Sequence, residues 1–507
     1  MPRAAAYSVF VSCEHLGGFN YKIGTCVSLM PLMIWNIIIN INSVYTVCFM
    51  RLDESLSFFT VDLNFDDLPK EVIDRAKWCT MDYLGVAIAG SQTHSGKLFA
   101  SLMKTMGGKR ESTLIVDGTK VPSPNAAFAN SASGHVLELD DGHYSSVTHP
   151  GTVIVPSALA IAEANQASGR ELITSIVAGY ETMIRIGKFV QPSHVYRGFH
   201  PTGTCGTLGA AATVAKLLKL TKSETNNALR IATLQSSGLL EVSRTGGSMK
   251  PLNPARAAQS GVYSALLAKR GARGPARAID GEAGFIHAFS DNINKTASIR
   301  NIRDDFQIRS VYFKFYAACR NIHPAIEAAL DLARSQKIES SEIKAIVVTT
   351  QSYTAKSFSR LEISDPASAK FSIPYSIAAA LFLGSGWTEA FSAAKLRNRN
   401  ILALARKVKI GTSSSFDKKH PYPSVRACKV RIETTKGGKF EKTVEQVKGD
   451  PNNVARNDLE LKFKQLASGI IPRERVNEII SRIGVLEKLK DTAVLVNLAA
   501  HAQKCER

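Results

Sequence analysis

Small and apolar residues run through 124–139 and again through 152–167, and each run reads as a buried helix, the second entered through Pro150 and Gly151. Ala, Gly and Ser recur at helical spacing in 170–187, 204–219, 222–236 and 254–271. That pattern predicts helices whose backbones approach closely. Ahead of them, Asp66, Asp67 and Pro69 offer a capping acid and a first-turn proline for a helix over 72–88, stopped at Gly90-Ser91. A short hairpin is expected over 112–122, turning at Asp117-Gly118. Residues 51–305 therefore read as the first part of an all-helical domain.

After residue 305 the period changes. The β-branched run 345–350 and the alternating stretch 426–433 predict strands, and Lys436-Gly437-Gly438-Lys439 turns the second back into 440–447. Helices are expected at 323–336 and 371–384 between them, making 306–450 a smaller α+β domain. Helical patterns at 457–468, 473–485 and 488–501 then place 451–507 back on the helical domain. The expected fold is mainly α, a large helical body with an inserted α+β lid.

Residues 1–50 stand apart. No charge occurs from Ile23 to Met50, a length that would allow a spanning helix, but Pro31, Asn36, Asn40 and Asn42 interrupt it. The stretch reads as an extension outside the fold rather than a membrane anchor.

Composition narrows the function classes. With 45% hydrophobic and 21% charged residues the chain is an ordinary globular protein, and aromatics at 7% favour packed helices over a β-sandwich. The formal charge of +20 comes from scattered Lys and Arg, densest at 269–277, 397–409 and 418–420, with no interleaved aromatics on a predicted sheet. Attraction of a small polyanion fits this better than a nucleic-acid partner. The eight cysteines form no Cys-x-x-Cys pair, which removes zinc-ribbon, thioredoxin and cubane-cluster readings. Reduced thiols suit the cytoplasm or an organelle matrix.

The richest stretch is 133–151, where Glu138, Asp140, Asp141, His135, His143 and His149 fall between two helices. A helix end and the loop beyond it are where a scaffold presents reactive groups, although a solvated loop with a capping Asp has the same appearance. His200 precedes a helix N-terminus, which suits a carboxylate, or it packs an entry loop. Lys250 lies in a Gly- and Pro-flanked turn. Lys314 is surrounded by aromatics and must snorkel, pair or bind an anion. Tyr375 alone would be a core tyrosine with a satisfied hydroxyl.

In series these stretches resemble the MmgE/PrpD family over about residues 55–500. The carriers are Glu138-Leu-Asp-Asp-Gly with His149-Pro-Gly, His200-Pro with Gly206-Thr-Leu-Gly, and Lys250-Pro. Lys314-x-Tyr-x-x-Cys-x-x-x-His323, Phe371-Ser-x-x-Tyr375 and Lys448-Gly-Asp-Pro follow in order. The family includes 2-methylcitrate dehydratases, cis-aconitate decarboxylases and an iminodisuccinate epimerase. The resemblance implies a helical domain plus an α+β lid with the active site between them, usually as a homodimer. It also implies a metal-independent lyase without a cofactor, acting on a small di- or tricarboxylate, with a dicarboxylate epimerase as the alternative.

By that resemblance His149, His200, Asp140, Asp141 and Tyr375 would be catalytic, and Lys250, Lys314 and Glu138 would bind substrate. Cis-aconitate decarboxylases usually carry Asp and Thr where this chain has Glu138 and Gly142, and the loop to His149 is one residue longer here. Those departures leave the substrate open. The expected chemistry is proton transfer by the two imidazoles beside ammonium groups that bind carboxylates and stabilise developing negative charge.

Overall fold

The computed structural model describes residues 51–293, 299 and 302–500. The stretch expected to lie outside the fold, 1–50, is outside the described residues. No helix among the described residues is long and apolar enough to cross a membrane.

The helical body begins with α1 (Leu52–Asp62), α2 (Lys70–Ser91), α3 (His94–Thr105) and α4 (Ser123–His135), with the hairpin β1 (Ser112–Thr113) and β2 (Lys120–Val121) between the last two. It continues through β3 (Gly142–His143), α5 (Gly151–Ala164), α6 (Gly169–Val190), α7 (Pro201–Leu217), α8 (Lys222–Leu234) and α9 (Leu252–Lys269). Asp66 and Asp67 do not cap α2. They form their own 3-10 turn, where Asp67 accepts from the Asn64 amide at 3.0 Å, and Pro69 stands at the α2 N-cap.

The small residues account for the packing. A Cβ at Gly179 of α6 would lie 1.9 Å from the Thr213 hydroxyl of α7, and one at Gly261 of α9 would lie 2.3 Å from Ala210 of α7. These helices meet at backbone distance, which any larger side chain would prevent.

Next come β4 (Val311–Tyr312), α10 (His323–Gln336), β5 (Ile343–Thr350), α11 (Ser352–Phe358), α12 (Ile373–Leu383), β6 (Val408–Thr412), β7 (Cys428–Thr434) and β8 (Lys439–Val444). Their sheet has the order β6-β5-β7-β8, with β5–β6 parallel and the other pairs antiparallel. α10 covers it. Finally α13 (Arg456–Ala467), α14 (Arg473–Gly484) and α15 (Ala493–Ala499) return to the body, and α13 packs along α2. The fold is mainly α, with a separate α+β unit.

Two apolar cores result. One gathers the body helices with α13–α15, and the other joins α10, α12 and the inner sheet face. Val86, Leu139 and Leu466 of the body belong to the second core, so the two units share an apolar seam. β3 pairs with β4, placing Gly142 opposite Tyr312 along that seam.

Candidate active site

α4 stops at His135, four residues earlier than its apolar pattern suggests, and Glu138 takes a left-handed backbone conformation (φ 55°). A side chain other than glycine rarely holds that conformation, and such strain collects at functional sites. The turn is fixed from below. Lys462 of α13, wholly buried, donates to the Leu139 carbonyl at 2.6 Å and to Asp82 of α2 at 2.5 Å. Asp141 accepts from the Gly151 amide at the α5 N-terminus (2.8 Å) and from the Tyr180 hydroxyl (2.6 Å).

The turn aims two carboxylates at two ammonium groups. Glu138 pairs with Lys250 through one oxygen and with Lys314 through the other at 3.1 Å, and Asp140 reaches Lys314 at 3.3 Å. Burial opposes ionisation of Glu138, but Lys250 and Lys314 outweigh it and hold its pKa well below the ordinary value. Burial likewise opposes ionisation of Asp140, and His135 and Lys314 overcome it. Lys314 loses hydration on burial, yet Asp140 and Glu138 raise its pKa. These four charges cancel.

Three imidazoles surround this quartet. His135 meets His149 edge to face with ring centres 5.3 Å apart, and His200 at a tilt with ring centres 5.8 Å apart. The hydrogen bonds fix each tautomer. The Lys250 ammonium donates to Nε2 of His135 at 2.6 Å, so Nδ1 carries the proton and donates to Asp140 at 2.6 Å. His149 has Nδ1 at 2.7 Å from the Asp141 carbonyl, which can only accept, so its Nε2 keeps a free lone pair. His200 is the reverse case. Asn253 donates to its Nδ1 at 3.0 Å and to the Leu239 carbonyl at 3.1 Å, so Nε2 carries the proton. Burial, with Lys314 next, pushes the His149 pKa down to about 3. Burial and Lys250 depress that of His200 well below its ordinary value. Both rings are neutral at physiological pH.

His149, His200, Lys250 and Glu138 line one cavity of about 790 Å³, whose other wall is built by α11, Phe371 and the segments around Arg320 and Arg426. Among the described residues Glu138 is the single acid in the lining, against the cations Lys250, Arg320, Lys356, Arg360 and Arg426. Such a surface concentrates anions. Among the described residues no three His, Cys, Asp or Glu side chains are grouped to hold a metal ion.

Four of the expected site residues stand back from the cavity lining. Lys314 is fully buried behind Glu138 and Asp140, already neutralised, and does not line the cavity. Asp140 faces His135 and Lys314, standing 3.5 Å from His149. Asp141 is turned inward to Tyr180 and Gly151. Tyr375 lies in the lid core with its hydroxyl donated to the Ala390 carbonyl at 2.7 Å, outside this cavity. Its pattern reading as a satisfied core tyrosine describes it better.

Sequence reasoning named His135 but gave it no role, and it passed over Asn253, Arg320 and Arg426. His135 had a signal, standing in the same acid-rich stretch; the others had none that spacing could supply. Gly142, one of the departures noted in the sequence, has a local cause. A Cβ there would lie 2.4 Å from the Tyr312 hydroxyl.

The fold and site define a two-part protein, a helical body and an α+β unit, with an anion-attracting cleft that presents two neutral imidazoles beside an ammonium group. The MmgE/PrpD N-terminal domain matches residues 54–297 and the MmgE/PrpD C-terminal domain matches 316–487, so the chain belongs to the MmgE/PrpD family. Among curated relatives, the cis-aconitate decarboxylase of Aspergillus terreus is 27% identical over 86% of this chain and 93% of its own length. The Homo sapiens cis-aconitate decarboxylase is 27% identical over 88% and 94%. The cis-aconitate decarboxylase-like protein oryM of Aspergillus oryzae is 26% identical over 87% and 95%.

Proposed function

We propose that the protein is a lyase that removes carbon dioxide from a cis-aconitate-like polycarboxylate. The observation that carries this reading is the protonated Nε2 of His200, set by Asn253, in one cavity with Lys250. The names of the relatives favour carbon–carbon cleavage over the elimination of water that 2-methylcitrate dehydratases perform.

The departing carboxylate of such a substrate sits on a carbon next to a carbon–carbon double bond. As carbon dioxide leaves, the electron pair of the broken bond forms a new double bond. The old one shifts its electrons to its far carbon, which bears another carboxylate. Lys250 stabilises the charge that spreads onto that carboxylate, in a site largely shielded from water. The Nε2–H of neutral His200 donates a hydrogen bond to the same developing charge, and the carbon takes its proton from solvent, so that no imidazolate forms. Both histidines are weak bases in the empty site. A bound polyanion raises their pKa values toward neutrality, because it offsets the nearby lysine charge.

One observation supports a second reading. The bare nitrogen of His149 has no proton to take in a simple decarboxylation, whereas abstraction by one histidine and return by the other is what a dicarboxylate epimerase or a hydro-lyase needs. Incubation with cis-aconitate, 2-methylcitrate, citrate and iminodisuccinate separates these. Carbon dioxide release from cis-aconitate is expected. Loss of optical rotation without gas, or loss of water alone, would replace the first reading by the second.

The homodimer expected from the family is supported by one feature. Leu98, Leu102 and Met106 are exposed by 47%, 53% and 65%, one turn apart on the outer face of α3 and its cap. A second copy of the chain is the proposed cover, and light scattering in solution tests it.

A further inference from the structure

Of the three guanidinium groups in the cavity wall, Arg360 is half-exposed and Arg320 and Arg426 are buried, and of the buried two only Arg320 has a counter-ion among the described residues. Arg320 donates to Asp450 at 2.6 Å and to the Tyr144 hydroxyl at 2.9 Å. Asp450 is fully used, since it also accepts from Tyr144 at 2.6 Å and from the Val447 amide at 2.8 Å. Arg426 is 4% exposed and has no carboxylate within 4.0 Å among the described residues. Its Nε donates to the neutral Asn321 amide oxygen at 2.5 Å, and one terminal nitrogen donates to the Ser424 carbonyl. The second terminal nitrogen, Nη2, has no hydrogen bond to the described protein.

The group is nevertheless held still. Its guanidinium carbon lies 4.8 Å from the centre of the Tyr422 ring and 5.3 Å from that of Tyr144. Tyr422 in turn packs on Tyr353 of α11 at 4.0 Å. A rigid, buried, positively charged fork with one face unused is costly to the empty protein. It is also the arrangement that planar, bidentate recognition of a carboxylate requires.

We infer that Arg426 is the recognition residue for a second carboxylate of the substrate, the one remote from Lys250, and that it confines the site to polycarboxylates. The inference rests on the reading of the cavity as a polycarboxylate site but not on the reaction performed there. Its test is therefore binding, without turnover. Asn321 acts as the positioning residue that holds the fork, and the tyrosines exclude water around it.

The probe is propane-1,2,3-tricarboxylate, which has no double bond and cannot react, titrated by calorimetry into the full chain and into Arg426→Met and Arg426→Lys. Arg426→Met is expected to weaken binding about 30-fold or more and to flatten its salt dependence, as loss of a charge-assisted bidentate contact does. Arg426→Lys restores the charge without the fork and should recover only part of the loss. The melting temperature of ligand-free Arg426→Met should be unchanged or higher, because an unpaired buried charge has been removed. Wild-type affinity in Arg426→Met overturns the inference, and so does failure of the wild type to bind the probe. A fall in both melting temperature and affinity that Arg426→Lys repairs completely assigns Arg426 a structural role and also overturns it. Should Arg426→Met not fold, Arg426→Lys alone decides, with unaltered affinity counting against. Tight, Arg426-dependent binding by a protein that releases no carbon dioxide from cis-aconitate would sink the decarboxylase reading and leave this one standing.

Discussion

The backbone carbonyl of Asp141 accepts the Nδ1 proton of His149 at 2.7 Å, while the carboxylate of the same Asp141 is anchored on Tyr180 and Gly151. The main chain, rather than a carboxylate, therefore orients the imidazole. A carbonyl sets the tautomer without adding the negative charge that would raise the pKa of the ring, so burial and Lys314 keep it at about 3.

The consequence for pH dependence has a definite sign. If neutral His149 is the working form, lowering the pH removes it only near its depressed pKa in the free protein. The ratio kcat/KM should stay flat from pH 7 to pH 5, measured with a substrate whose own carboxylates remain ionised. A histidine with an ordinary pKa near 6.5 would cost about 30-fold over that range. A drop of that size would remove His149 as the base.

Asn253 offers a sharper test of the opposite tautomer. Its amide donates to both the Leu239 carbonyl and Nδ1 of His200, and only the second bond fixes the proton on Nε2. In Asn253→Asp the carboxylate accepts from Nδ1, so in the neutral ring the proton leaves the nitrogen that faces the cavity. The expected result is a fall in kcat of about 100-fold or more with a small change in KM. A steady-state comparison, checked by an unchanged melting temperature, distinguishes this from a general loss of structure.

The body helices were legible because their small and apolar residues repeat at 3.6, a signal that survives without tertiary information. α1 and α3 were not read. The hydrophobic face of α3 is left exposed at Leu98 and Leu102, so its pattern does not point to one core. β6 went unread within a basic stretch, since Lys407 and Lys409 flank its inward Val408. It is an edge strand, and lysines on an edge strand block unwanted pairing. Within the site, His149, His200, Lys250 and Glu138 were found because each follows or precedes a helix at a Gly- or Pro-marked turn. Arg426 and Asn321 were missed because their partnership spans 105 residues and leaves no local pattern. Lys314 was found by the aromatics around it, but sequence could not say that its charge is spent on Glu138 and Asp140.

That placement changes what a substitution at Lys314 should do. Removal of the ammonium leaves two buried carboxylates facing each other with one fewer cation, and breaking such a pair costs about 3–5 kcal/mol. Lys314→Met should therefore lower the denaturation midpoint strongly at pH 7. Lys250→Met, at the cavity surface, should mainly weaken substrate binding. Chemical denaturation of both variants checks the contrast, and equal stabilities would show that Lys314 is not the keystone of the quartet.

Asp141 ties the stability of this loop to pH. Burial is the largest cause of its raised pKa, about 7 against an ordinary value of 3.8, and Asp82 adds to it. An acid raised in the folded state gives stability that is fully present below its unfolded pKa. That stability is lost as the pH rises through the folded value. The loss at Asp141 falls between about pH 4 and pH 7, and the difference is on the order of 4 kcal/mol. Asp141→Asn keeps an acceptor for the Gly151 amide and a partner for Tyr180, but it has no proton to lose. Relative to the wild type, the Asp141→Asn variant should therefore be least stable at pH 4 and gain ground progressively up to pH 8. Urea denaturation of both proteins at pH 5, 6, 7 and 8 measures that difference directly. Parallel stability curves would mean that Asp141 is ionised throughout, held so by Tyr180 and the α5 N-terminus.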